Sequence, residues 1–318
     1  MIWVTWQQHR FEALIAAAML TILALLMLPT GLDMAANLQQ SGLAACIDHS
    51  NALGACAAIR EGFQERYVDL EKYFGITLTA LPALVGVFFG APLIAREVEQ
   101  GTHRLAWTQS VTRLRWATVK LAAATTVVVL SWTAIVLLTM WWHGPLDQLH
   151  GGPFDAFDIE GIAPVSYALF AFGLGVAVGS IIRRTVPAMA LTLGLFAGLR
   201  LGIEHWLRPE YAPARVITWD TLADKRPAFQ GAWVFSTQLM DRFNHVLSDA
   251  QIQALFRQAP GGPTAVNQYL HDLGIRHAVF YQPADRFWAF QGIEAALFTV
   301  LAVLLLGLAL YWVKRRIV

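Results

Sequence analysis

Six long apolar runs interrupt this chain, and no other feature limits its fold as strongly. They cover Ala13–Thr30, Phe74–Ala95, Ala117–Trp142, Ile162–Ile182, Pro187–Ile203 and Ile293–Val313. At about 1.5 Å per helical residue, each can cross most or all of a hydrocarbon layer about 30 Å thick. The fifth run begins so soon after the fourth that the two read as a tight hairpin of spanning helices. Charged residues make up 14% of the chain and mean hydropathy is +0.49, where soluble domains carry about a quarter charged residues. The expectation is an all-α integral membrane protein, with one transmembrane domain over residues 1–318 and six transmembrane helices.

Cleavage as a signal peptide is the alternative for the first run, with Arg10 ahead of it and "MAA" near a cleavage point. Its length, and the five runs that follow, favour a span. Residues 1–12 read as an amphipathic interfacial helix carrying Trp3, Trp6 and Arg10. The simpler reading makes the tryptophans belt residues at a membrane border.

Orientation follows from the basic residues of the short loops. With both termini placed inside, that side holds Arg10, Arg96, Arg104, Arg113, Arg115, Lys120, Arg183, Arg184, Lys314, Arg315 and Arg316, which is 11 of 23. Of 22 acidic residues, only Glu12, Glu97 and Glu99 share it. The chain is therefore expected in the cell membrane with both termini cytoplasmic. Cys46 and Cys56, the only cysteines, fall together in the first outside loop, 31–73. An oxidising exterior would let them form a disulfide.

The other outside loops are 143–161 and 204–291. The last contains "SDAQIQALFRQAPGG", with Ser248 as a helix N-cap and a glycine pair as a stop, so short helices packed as an external cap are expected there. Just before the sixth run, Tyr281, Phe287, Trp288 and Phe290 crowd together. They form an interfacial aromatic belt, or a lid or re-entrant turn.

Absences narrow the chemistry. None of the four lysines, Lys72, Lys120, Lys225 and Lys314, stands in a G-x-x-x-x-G-K-[ST] phosphate loop. No nucleophile–base motif and no His-x-x-x-His metal spacing is present, so the chain is not expected to be an enzyme, to hold a metal or to bind nucleic acid. His143 sits at a span end. Glu12, Glu204 and Glu294 lie near helix ends, where carboxylates reach water. Arg200 is the deepest charge, and it either snorkels to the surface or lines a water-filled path. Gly175 and Gly179 in the fourth run, and Gly194, Gly198 and Gly202 in the fifth, recur at four-residue steps that place small residues on one helix face for close packing.

One polar block remains, the loop 96–116 between the second and third runs. Its sequence "AREVEQGTHRLAWTQSVTRLRWATVKL" resembles the signature of type-2 ABC transporter permeases. "RRTVPAMA" and "YQPADRFWAFQ" are similar to an actinobacterial branch of that family. The resemblance implies a cytoplasmic coupling helix between helices 2 and 3, docked on a separate ATPase subunit. Glu97 and Glu99 would lie at the contact, Gly101 and Thr102 would shape the turn, and Arg104 would face the partner or lipid phosphates. The segment from Trp3 to Arg10 would make a second contact.

It further implies two ATPase copies carrying ATP and Mg2+, a second permease copy or a related permease, and export of an amphipathic or hydrophobic cargo such as a drug, a lipid or a lipid-linked molecule. The rival reading is a non-transporting sensor or immunity protein that binds a ligand with its external loop.

Overall fold

The computed structural model describes residues 2–43, 55–101, 112–150, 152–223, 229, 231–259 and 261–316. Six helical segments among them are long and apolar enough to cross a membrane: Leu14–Gln40, Ala58–Glu99, Leu114–Leu149, Ala163–Ile182, Thr185–Tyr211 and Ala284–Arg315. Each contains or closely matches one of the six apolar runs.

Helix α1, Ile2–Gln40, is continuous, so the expected interfacial segment 1–12 and the first span form one helix without a break. The second span has three parts: α2 (Ala55–Leu84), a π-helical turn (Val85–Gly90) and α3 (Ala91–Glu99). Then come α4 (Arg113–His150), α5 (Ala163–Ile182) and α6 (Thr185–Gly202). The fifth span continues through a π turn at Ile203–Leu207 and a 3-10 turn at Arg208–Tyr211. The sixth span is a helix running from Phe287 to Arg316.

The first two spans overrun their apolar runs, so much of the expected loop 31–73 is helical. The overrun has a local cause. Met34, Leu38, Leu43, Phe63 and Tyr67 continue the apolar faces and are buried together. Tyr67 donates to Asp33 Oδ2 at 2.7 Å, and Arg66 pairs with Asp33 at 3.0 Å. That ion pair is more than half exposed and adds little; apolar burial does most of the work. Lower down, α1 meets α4 where Trp142 Nε1 donates to Thr30 Oγ1 at 3.0 Å. Cys56 is disulfide-bonded, and Cys46 lies outside the described residues.

Helix α5 occupies the centre, with 16 of its 20 residues buried. Its contact with the second span is backbone against backbone. A Cβ on Gly86 would sit 2.5 Å from Ala171 O, and one on Gly90 would sit 2.5 Å from Phe172 O. Reciprocally, a Cβ on Gly175 would strike Gly86 O, and one on Gly179 would strike Ala91 O. The π turn accompanies this approach. Pro92 lacks the N–H that would bond to the preceding turn, and a locally wider helix relieves that mismatch.

The large loop departs from expectation. Short helices are present, but they flank a three-stranded antiparallel sheet ordered β1-β3-β2, with β1 at Arg215–Asp220, β2 at Trp233–Met240 and β3 at Arg276–Gln282. The register runs from Arg215↔Tyr281 to Asp220↔Arg276 on one side of β3, and from Trp233↔Gln282 to Met240↔Arg276 on the other. Between β2 and β3 lie α7 (Asp249–Gln258) and α8 (Pro263–Asp272). Ser248 caps α7 in a reciprocal box with Gln251. With these defined, the sixth span is α9. Leu239, Leu270 and Ile275 form a small core of their own, with Leu247, Ile252, Leu255 and Val266 packed against it.

The glycine contacts predict a sharp contrast. Gly175→Ala forces backbone apart and should destabilise the protein by about 1–3 kcal/mol. A Cβ on Gly194 meets nothing within 4 Å, so Gly194→Ala should be neutral or stabilising by up to about 1 kcal/mol. Thermal unfolding of both variants in detergent reads the difference.

Candidate functional site

Two polar constellations bracket the bundle, one at each end. At the end that carries both termini, α3 runs out at Glu99. Gly101 takes φ +72, a left-handed conformation that closes the helix, and its N–H donates to Val98 O at 3.3 Å. Glu97 makes an ion pair with Lys120 of α4. Lys120 is buried and lies 5.4 Å from the Trp116 ring centroid. Glu99 accepts two hydrogen bonds from Thr185, at 2.9 Å from the backbone N–H and 2.7 Å from the hydroxyl. It thereby caps α6 from another helix, satisfying a first-turn N–H and complementing the positive end of the helix dipole.

Glu97 and Glu99, expected at or beside the ATPase contact, bind the root of the 96–116 loop to the third and fifth spans within the chain. Thr102 and Arg104 lie outside the described residues, as do the side chains of Trp3, Trp6 and Arg10.

The opposite end, which bears the large loop, holds a buried charge network that sequence reading missed. Arg208 grips Glu294 of α9 with two bonds, Nε to Oε2 at 2.9 Å and Nη2 to Oε1 at 2.8 Å. It also donates to Asp158 Oδ1 at 2.6 Å. Arg200 donates to the same Asp158 oxygen and reaches Glu294 Oε1 at 3.4 Å. Tyr167 of α5 donates to Glu294 Oε1 at 2.8 Å, and its ring lies under the Arg200 guanidinium at 4.1 Å. Glu204 stands at the rim, 3.6 Å from Arg200.

Two expectations are corrected here. Glu294 does not reach water; its exposure is 0%. Arg200 neither snorkels nor lines an open path; its exposure is 6%. The physical reason is the π and 3-10 extension of the fifth span, which carries Arg208 back over the bundle and supplies the second cation. Two guanidiniums then face two carboxylates with nearly every donor satisfied, the condition under which charges tolerate burial. Burial alone would push the Asp158 carboxyl upward, but Arg200 and Arg208 outweigh it and hold it below the usual carboxylate range. Beside the network, Gln291 accepts from Ala163 N–H at 2.8 Å and donates to Phe157 O at 2.8 Å, which fixes the start of α5.

The aromatic residues before the sixth span divide among three environments. Phe287 and Phe290 are buried with Phe154 and Phe157. Tyr281 lies in β3 with its ring 5.4 Å from Phe229, and Trp288 is exposed. Of the small-residue steps, Gly175 and Gly179 are in close contact within the chain, whereas Gly194 and Gly198 face open space and Gly202 meets only Trp206. The sequence reading omitted the matching pair, Gly86 and Gly90. Their G-x-x-x-G spacing inside an apolar run was the available signal.

Six apolar helices and an ordered polar joint between the second, third and fifth define a polytopic helical membrane protein. The chain belongs to the ABC-2 membrane transporter related family, whose model matches residues 17–208. No curated protein and no solved structure matches it. The matched segment takes in the first five spans and ends at Arg208, leaving the sheet-bearing loop and the sixth span outside.

Removing one arginine should cost far more than a surface charge would. Arg208→Ala leaves Glu294 buried without its two-pronged partner, and a loss of about 3–5 kcal/mol is expected, read as a fall in thermal midpoint. Asp158 provides a pH test. Its folded pKa is depressed, so its stabilising share is complete above about pH 4 and disappears as pH falls through the folded value. The stability gap between wild type and Asp158→Asn should therefore be constant near neutrality and close in acid. A gap that persists at the lowest pH would assign the effect to shape instead of charge.

Proposed function

We propose that this chain is the permease subunit of an ATP-driven exporter. It works as a homodimer, or paired with a related permease, on two separate ATPase subunits that bind ATP and Mg2+. The cargo is amphipathic or hydrophobic, and both termini and the 96–116 loop face the cytoplasm. Family membership supports a membrane subunit of an ABC transporter. The observation that carries the mechanism is the Glu99–Thr185 cap together with the Glu97–Lys120 pair. Through these two joints, a push delivered to the loop reaches the second, third and fifth spans at once.

Chemical energy spent on a neighbouring subunit needs such a rigid path, because the two sites can be coupled only through an element that both of them bias. At the other end, the Arg200–Arg208–Asp158–Glu294 network ties the fifth and sixth spans to the fourth. In this reading it is the outer closure, held while the cytoplasmic side admits cargo. A small apolar crevice lined by Ile15, Met19, Val85, Phe89, Val128 and Trp132 lies between the first three spans.

The test is purification from the native host in mild detergent, followed by an ATPase assay. An ATPase subunit should accompany the wild type, and Glu97→Ala/Glu99→Ala should release it or uncouple its hydrolysis from cargo. Thr185→Val separates the two ways Glu99 could act. If the in-chain cap transmits motion, Thr185→Val keeps the ATPase bound and lowers cargo-stimulated hydrolysis several-fold. If Glu99 works by touching the partner, Thr185→Val leaves the stimulation intact. A chain that purifies alone would move the protein's work to the external loop, as in a sensor or immunity protein.

A further inference from the structure

A second polar cluster lies at the loop-bearing end, between the second and third spans, and neither the charge network nor the coupling path uses it. His143 and Asp147 stand four residues apart on α4, on one helix face, with His143 Nδ1 at 2.9 Å from Asp147 Oδ1. Glu160 approaches from the segment before α5, its Oε1 at 3.2 Å from the same nitrogen. The turn that delivers it is fixed by Glu160 N–H donating to Ala156 O at 3.0 Å, and Gly161 follows at φ +78. On the far side of the ring, His143 Nε2 lies 3.5 Å from Glu71 Oε1 of α2.

Hydrogen bonding leaves this cluster incomplete. A ring nitrogen carries at most one hydrogen, yet two carboxylate oxygens converge on Nδ1. Asp147 takes the shorter contact. Glu160 Oε1 is left without a hydrogen-bond partner, in a side chain only 2% exposed. A buried acceptor left unmade is costly. Three carboxyl groups thus surround a single imidazole.

We propose that His143, Asp147 and Glu160 bind a divalent first-row metal ion of the zinc class, with Glu71 orienting the imidazole from its other nitrogen. The donor atoms of His143, Asp147 and Glu160 all lie within 4.8 Å of one another. A tetrahedral ion with bonds of about 2.0–2.2 Å separates its ligands by about 3.3–3.6 Å, so the 2.9 and 3.2 Å separations need only small side-chain adjustments. A carboxylate on the far nitrogen of a metal-binding histidine is the usual outer partner that sets its tautomer.

The donor set also selects the ion. An imidazole ligand disfavours calcium and magnesium, which take oxygen, and the absence of thiolate disfavours copper(I). Asp147 and Glu71 are partly exposed, with side chains at 23% and 27%, which gives an ion a way in from the loop side. Once bound, the ion would tie the third span to the segment leading into α5.

The experiment uses the full chain in detergent, stripped with a chelator and then dialysed against micromolar zinc chloride. Metal per chain is counted by mass spectrometry. Wild type should hold about one zinc, bound by the folded chain. His143→Asn and Glu160→Gln should each lose it, and His245→Ala, at an exposed histidine elsewhere on the surface, should keep it. Glu71→Gln should weaken zinc binding roughly 10–100-fold at unchanged stoichiometry. X-ray absorption of zinc-loaded wild type, which depends on no variant's folding, should read one imidazole with oxygen ligands. The assignment fails if wild type takes up no stoichiometric zinc, if folded His143→Asn retains it, or if the absorption shows two imidazoles or sulfur.

Discussion

Inside hydrocarbon no water drives helices together, so a bundle coheres through close packing and polar contacts. The contact between α5 and the second span is backbone against backbone. Gly86, Gly90, Gly175 and Gly179 remove four side chains at the point where the two backbones touch, and each would otherwise collide with a carbonyl or amide. Much else follows from that approach. It places α5 at the centre, and the fifth and sixth spans then pack on its remaining faces, as Phe196 and Phe298 do against its Phe170. It also aligns Tyr167 with Glu294, without which the charge network would lack its link to the central helix.

The two polar constellations differ in how firmly they are held. The network at the loop-bearing end is buried, multiply bonded and nearly balanced in charge, so it opens only if several partners part together. The joint at the other end is lighter: one carboxylate on a lysine and one on a threonine, the second of them exposed to solvent. Solvent access at Glu99 keeps that bond weak enough to be remade, while low dielectric strengthens the buried network.

The spans were legible because each is a long run of apolar residues, a signal that requires no knowledge of neighbours. The Ser248 cap was legible for the same reason, since its partner Gln251 is three residues away. The sheet was missed although "RVITWD", "WVFSTQLM" and "RHAVFYQ" are rich in β-branched and aromatic residues. β3 pairs with strands that lie far from it in sequence, and no hairpin turn advertises the pairing. The charge network was illegible for a deeper reason. Asp158, Arg200, Arg208 and Glu294 are scattered over the chain, and each taken alone fits a helix end reaching water. Only the irregular turns after α6 bring them together, and nothing in the period of the apolar residues signals those turns. The grouping of His143 with Asp147 and Glu160 escaped notice in the same way, because the third donor comes from a different segment.

The boundary of the family match at Arg208 has an electrical meaning. Asp158, Arg200 and Arg208 all lie within residues 17–208, and Glu294 lies beyond them. Taken alone, the matched segment would hold Arg200 and Arg208 with the partly exposed Asp158 and with Glu204 at the rim, but without the fully buried carboxylate of the network. The sixth span carries the missing anion. The five-span portion therefore leaves Arg208 without its two-pronged partner. In this chain Arg208 stays buried with its charge met by a group that enters from beyond the matched segment.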